Sequence, residues 1–301
     1  MKVLYSGEGR KTKACRFLPY AFLMDEGTIL GAMEHRYLPE ADRLSILAAT
    51  ILLAYALASF INLPARELAV QLPGFYLAVE VNARTVVAVL VAGLTASGAD
   101  WLLRTHPSVR KQSTFEHWLV PALTALVIGV PLSQISGAPQ WWLGFIAGGA
   151  LLMLVLVAEY ISVDPDDVRQ PIASAGLTTV SFALYLILAI ALRFSGLRLF
   201  LILPSLALAA WLVSLRTLNL RLHGRWAFLQ AGVVALICTQ IAAALHYFPL
   251  SSVSFGLLLI GPAYAITSLL ANLGEDEPLR QAIMEPAIVL VILLGTAIWI
   301  H

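Results

Sequence analysis

Nine predominantly apolar stretches, separated by short polar segments, run along the chain: Leu44–Leu63, Thr85–Leu103, Trp118–Ile135, Trp141–Ile161, Ala173–Leu192, Leu197–Leu215, Trp226–His246, Val253–Leu270 and Ile283–Ile300. Each meets or approaches the ~20 helical residues that cross a hydrocarbon core about 30 Å thick. The last is the weakest, because Glu285 and Pro286 shorten its uninterrupted apolar part. Backbone groups in lipid find no water to bond with, so these stretches are predicted to be helices. A transmembrane barrel would instead show alternating segments of about ten residues. The pattern therefore predicts an all-α polytopic membrane helix bundle of about nine transmembrane helices.

Two segments fall outside this rhythm. Residues 1–36 read as a polar N-terminal tail, expected to be poorly ordered, and 37–301 as a single transmembrane helix-bundle domain. Met1, Met24 and Met33 all remain candidate starts, and the one apolar piece of the tail, Phe17–Met24, is too short for a span or a standard signal-peptide core. In Glu67–Asn82, apolar residues at 68, 70 and 72 and again at 75, 77, 79 and 81 flank Pro73-Gly74. Pro followed by Gly suits the two central positions of a type II turn. A short β-hairpin in the first outer loop is expected, and a short interfacial helix broken at Pro73 is the competing reading.

Composition agrees. Of 301 residues, 59% are hydrophobic and 12% charged, against about 45–50% and about 25% in ordinary globular chains. That balance excludes a soluble domain, an extracellular disulfide scaffold and a disordered chain. The net charge of +1 implies no global electrostatic partner, and no soluble part is large enough to present the basic patch that nucleic acid requires. Cys15 lies in the polar tail and Cys238 in an apolar stretch, so no disulfide between them is expected.

Lys and Arg counts orient the bundle. Summed over alternate loops, one side carries 15 and the other 4, which predicts a cytoplasmic N-terminus and an outside C-terminus in a plasma (inner) membrane. All seven tryptophans, Trp101, Trp118, Trp141, Trp142, Trp211, Trp226 and Trp299, fall near span ends, where an indole keeps its ring in lipid and its N–H wet.

Ionisable groups within a span are costly and require a reason. Asp100 follows Ala92 and Ala96 at steps of four, on a small-residue face suited to helix contact, and precedes Arg104 by four, the favourable order for a helical ion pair. Glu159 shares an azimuth with Gly148 and Leu152, with Gly144 and Gly148 spaced for close helix approach. Asp100, Arg104 and Glu159 thus form a candidate intramembrane polar cluster near the cytoplasmic ends of their helices. An ion pair pinning the helix end and an acid reaching the headgroup boundary are the structural readings. A proton- or cation-handling carboxylate is the functional one.

Other polar positions are weaker signals. Pro204 and Gly261-Pro262 sit mid-span, where paired interruptions mark transporter sites or simply kinks. Gln230, Thr239, Gln240 and His246 lie on the seventh span, where Thr and Gln usually bond to a neighbouring helix. Arg193 and Arg198 flank an outer turn, as lipid-phosphate anchors or partners of Glu67 and Glu80. No nucleotide-binding loop, nucleophile elbow or zinc helix occurs, so no catalytic residue, cofactor or metal is expected.

In topology the chain looks like intramembrane aromatic prenyltransferases. That family binds Mg-diphosphate through Asp-rich motifs after its second and sixth spans. Here those places hold a single acid, in Asp100–Pro107, and none, in Arg216–Arg225, so the resemblance fails at the metal site. The strings Leu-Pro-Gly-Phe-Tyr-Leu-Ala-Val-Glu at 72–80, Gly-Ala-Asp-Trp-Leu-Leu-Arg-Thr-His-Pro at 98–107 and Gly-Pro-Ala-Tyr at 261–264 resemble an uncharacterised family of bacterial multi-pass membrane proteins of unknown function. That resemblance implies a bacterial plasma-membrane location and no assigned chemistry.

Three functions are then expected in this order. The first is a non-catalytic structural or partner-binding membrane component, held in the lipid bilayer with a membrane protein partner or as a homo-oligomer. The second is a permease for a small or lipid-like solute. The third is a membrane-embedded enzyme acting on lipid through Asp100 and Glu159.

Overall fold

A computed structural model describes residues 39–60, 66–72, 75–81, 83–106, 114–134, 139–164, 167–222 and 224–300, with the side chains of 58–85 and 133–134 outside the description. The tail 1–36 lies outside it altogether. The described helices are α1 (Ala41–Phe60), α2 (Ala83–Leu103), α3 (Leu119–Gln134), α4 (Pro139–Ser162), α5 (Gln170–Phe194), α6 (Leu199–Arg221), α7 (Phe228–His246), α8 (Ser252–Gly274) and α9 (Leu279–Trp299). A short 3₁₀ turn, Phe115–Trp118, leads into α3.

Eight of these helices, α2 to α9, are long and apolar enough to cross a membrane, and the chain is a multi-pass helical membrane protein. The packing has the polarity that lipid demands. Large apolar side chains such as Leu90, Leu143, Leu229 and Val291 point outward, while Ser181, Ser214, Thr267 and Arg216 are buried. Lipid solvates the former as well as a core would, so helices associate through close packing and polar contacts.

Successive helices pack as neighbours, and longer-range contacts of α3 with α5 and α6, of α5 with α8 and of α1 with α4 close the bundle. One core runs through α3 to α8 around Leu177, Leu184, Tyr185, Leu206 and Phe255. A second joins α1 to α4 around Ile51, Leu102, Leu103, Leu152 and Leu156.

Small residues set the closest approaches. A Cβ on Gly148 would lie 2.6 Å from the Ile128 side chain and one on Gly149 would lie 3.0 Å from Leu52, whereas nothing comes within 4 Å of one on Gly144. The close face of α4 is therefore Gly148-Gly149, one turn beyond Gly144. Prolines do not interrupt the helices: α6 and α8 continue through Pro204 and Pro262.

Between α1 and α2, backbone segments β1 (Arg66–Leu72) and β2 (Phe75–Val81) pair antiparallel, from Arg66 opposite Val81 to Leu72 opposite Phe75. Pro73 and Gly74 fall outside the described residues.

Candidate functional site

The polar groups of the bundle gather at the end formed by the C-termini of α2, α4, α6 and α8 and the N-terminus of α3. Asp100, Glu116, Glu159, Arg216 and Asn272 all lie in or next to these helix ends, so the alternating direction of the chain brings them to one level.

Glu159 is at the centre. It sits in the last turn of α4 and is 1% exposed, on the buried face that carries Gly148, Leu152 and Val155. Arg216, also 1% exposed, approaches from α6, its Nη2 donating to Oε2 at 2.5 Å and its Nε to Oε1 at 3.3 Å. The pair is thus bidentate, the geometry in which a guanidinium and a carboxylate match best. His117, from the turn before α3, places Nδ1 2.8 Å from Oε2. Nδ1 also lies 3.1 Å from Arg216 Nη2; a carboxylate only accepts and a guanidinium only donates, and the shorter contact, to Glu159, fits a proton on Nδ1. Ser162 Oγ donates to the Glu159 carbonyl at 2.9 Å and reaches Oε2 at 3.3 Å.

The network continues outward. Arg216 Nη1 donates to Asn219 Oδ1 at 3.0 Å, and Asn219 Nδ2 donates to Glu116 Oε2 at 3.0 Å. Both oxygens of Glu159 are thereby filled by donors of the chain itself. Burying two charges without such bonds would cost several kcal/mol each.

Asp100 and Arg104 form a separate unit. Arg104 Nε donates to Asp100 Oδ2 at 2.7 Å across one turn of α2, and Thr114 Oγ1 donates to Oδ1 at 2.5 Å. The Arg104 side chain is 69% exposed and that of Asp100 17%. Their described bonds run within α2 and to Thr114, and those of Glu159 run to His117 in the turn before α3, to α6 and within its own helix. Of the three residues singled out from sequence, two pair with each other and the third belongs to a different network.

Arg216, His117 and Asn219 complete the buried centre and were hidden by where the spans appear to end. The apolar stretch stops at Leu215, whereas α6 runs on to Arg221. That extension puts Arg216 more than a turn inside the helix and turns it inward. The available signal was the three-residue step from Arg216 to Asn219, opposite an inward acid at the same membrane level.

The next polar cluster, beyond the helix ends, joins His106 to the α4–α5 connection. His106 is 2% exposed and packs edge-on against Tyr160, ring centroids 4.8 Å apart. Burial holds its pKa below the usual histidine value, and nearby His117 acts the same way, against the opposing pull of Asp164 and Asp167. Asp167 in turn chelates Arg169, Oδ2 to Nη2 at 2.7 Å, and this bond raises the Arg169 pKa.

At the opposite end, Arg193 donates to the carbonyls of His246 and Phe248 at 3.0 and 3.1 Å. It therefore caps the C-terminus of α7, where carbonyls lack helical partners. Thr239 bonds back to the Ala235 carbonyl of its own helix at 2.6 Å rather than across to a neighbour.

Among the described residues no group of three or more His, Cys, Asp or Glu side chains is arranged to hold a metal ion. No curated protein and no solved structure matches the chain. Over residues 63–300, from the end of α1 to α9, the chain matches a family model, and it belongs to that family, described as protein of unknown function (DUF5656).

Proposed function

We propose that the chain is a non-catalytic component of the bacterial plasma membrane with a structural, partner-holding role. In this reading it crosses the bilayer nine times, with a cytoplasmic N-terminus, an outside C-terminus and a β-hairpin in the first outer loop. Residues 37–301 are read as a single bundle domain, preceded in sequence by the polar tail 1–36.

The observation that carries the partner-holding role is Gln240. It lies past the middle of α7, exposed on the face that also shows Leu229, Val233 and Leu236. Its amide has no hydrogen-bond partner among the described residues. A carboxamide facing hydrocarbon costs free energy, and Gln on such a face commonly bonds to a second helix, at about 0.6–2 kcal/mol. A membrane protein partner or a second copy of the chain, pressed against α7, supplies that bond.

Closure of the Glu159 network supports the non-catalytic part. A general acid, base or metal ligand must reach its substrate, whereas Glu159 is 1% exposed and faces donors of the chain itself. Asp100 is likewise bonded through both oxygens, so the two acids do not form a shared pair. The unbroken helices at Pro204 and Pro262 lack the unwound backbone on which the permease reading rests.

The ninth crossing is α1. It is 20 residues long, as apolar on average as α2, and lies antiparallel to it. Leu47 meets Gly98, and Tyr55 meets Ala88 at the shared contact with Gly129. It therefore covers nearly the same thickness as α2. The 15-to-4 division of Lys and Arg supports the orientation. The seven-residue ladder of β1 and β2 supports the hairpin.

Purification in mild detergent, with light scattering and mass spectrometry of companions, tests the role. A stable companion or oligomer is expected, weakened roughly three- to thirtyfold by Gln240→Leu. A solitary wild-type chain, or a complex indifferent to Gln240→Leu, overturns it.

A further inference from the structure

A cavity of about 820 Å³ lies between α5 and α9, with α8 behind it and the last turn of α6 at one end. Both α5 and α9 pack against α8 or its neighbours, and Ala175, Thr179 and Ala183 of the wall are exposed. The space is therefore open sideways, toward lipid. Its volume falls in the ~300–1,000 Å³ range of small-molecule sites.

The wall changes character along the membrane normal. On α5, Gln170, Ser174 and Thr178 line the end nearest Arg221, and Phe182 and Leu186 line the deeper part. From Gln170 to Leu186 is about 24 Å at 1.5 Å per residue. Helix α8 contributes Tyr264 and then, one turn deeper, Ile260, and α9 contributes Val289 and Leu293 at comparable depth. Polar at the helix ends and apolar toward mid-membrane, the gradient is that of one lipid molecule in a leaflet.

Charge narrows the occupant. Arg221 is neutralised by Glu275, Nε to Oε1 and Nη2 to Oε2 both at 3.1 Å, and also bonds to Asn272 and Ser268. Glu285, within α9, is exposed and accepts from the hydroxyl of Tyr264 at 2.6 Å. Tyr264 lines the cavity. The connecting turn adds Asp276 and Glu277 against Arg280. These groups carry two carboxylates in excess, one in the connecting turn and Glu285 inside a membrane helix, where a lone acid is costly.

We infer that this cleft binds a phospholipid with a primary-ammonium headgroup. The ammonium sits against Glu285, the phosphate accepts from the remaining Arg221 N–H and the Thr178 hydroxyl, and an acyl chain follows Phe182, Leu186 and Leu293. This binding requires no protein partner on α7, so its test is separate from that of the partner-holding role.

Native mass spectrometry of the full chain, with equimolar dioleoyl phosphatidylethanolamine and dioleoyl phosphatidylglycerol in the micelle, reads it directly. The wild type is expected to retain one phosphatidylethanolamine in preference. Glu285→Gln should lower that preference about tenfold, the scale of one charge-assisted hydrogen bond. Ala183→Phe, which fills the cleft from its exposed wall, should remove the bound lipid while unfolding as the wild type does. Equal retention of both lipids by the wild type overturns the inference. So does a preference unchanged in Glu285→Gln, or full retention in Ala183→Phe.

Discussion

Removal of one partner from the Glu159–Arg216 pair is the sharpest perturbation the structure offers. Glu159→Gln keeps the shape of the side chain but leaves the guanidinium, 1% exposed, without its counter-charge. Asn219 still accepts from Nη1, and the bonds from Nε and Nη2 then fall on a neutral amide. Breaking a buried pair in this way costs about 3–5 kcal/mol, and Arg216→Met, which strands the carboxylate, should cost a similar amount. The double variant removes both charges together and leaves apolar volume in place of one of them. Its loss should fall short of the sum of the single losses by roughly 3 kcal/mol, because each single figure contains the penalty for an orphaned charge. Reversible unfolding by SDS in mixed micelles, followed by helical circular dichroism, measures all three. A loss below about 1 kcal/mol in either single variant, or additivity in the double, would refute the claim that the pair is buried and closed.

Four other substitutions probe separate parts of the bundle. Gly148→Val places a branched side chain where a Cβ already lies 2.6 Å from Ile128, and should destabilise by about 1–3 kcal/mol; Gly144→Ala, with nothing within 4 Å, should stay within about 0.5 kcal/mol in the same SDS titration. Arg104→Ala removes an exposed partner of an i,i+4 pair and should cost no more than about 0.5 kcal/mol, with a larger loss arguing for a role beyond the helix end. His106 has a folded-state pKa below its unfolded value, so its unfolded form takes up the proton first; its contribution is complete above the ordinary value near 6.5 and declines as pH falls below it. Melting of the wild type between pH 7.5 and 5.5 should therefore drop more than that of His106→Gln, and parallel curves would refute the assignment.

The sequence carries the membrane architecture because two physical demands act on it residue by residue. Lipid rejects unpaired backbone and charge over a thickness of about 20 helical residues, so apolar stretches from Thr85 onward coincide with α2 to α9 to within a few residues. The inward azimuth of Glu159 was equally legible, since Gly148 and Leu152 share it and are buried. Helix ends were not. A helix continues past its apolar stretch whenever its polar residues find partners inside, and Arg216 does so because Glu159 waits on α4. That bond joins residues 57 apart, and no local pattern reports it. The same blindness grouped Asp100 with Glu159: α2 and α4 share a core, yet equal depth does not say which side chains turn toward each other. Gly144 and Gly148 looked like the contact pair from spacing alone, yet α4 meets its neighbours through Gly148 and Gly149 and not through Gly144, because the crossing point is set by both helices. The lipid cleft was invisible for a related reason: its walls come from four helices, each unremarkable by itself.

Everything proposed about sides and depths depends on whether α1 crosses the bilayer along with the eight helices after it. Impermeant labelling of single cysteines, one placed beside the N-terminus and one replacing His301, in a variant lacking Cys15 and Cys238, decides this in intact and permeabilised cells. The account predicts that the His301 site reacts in intact cells and the N-terminal site only after permeabilisation. Reaction of both sites under the same condition would contradict it.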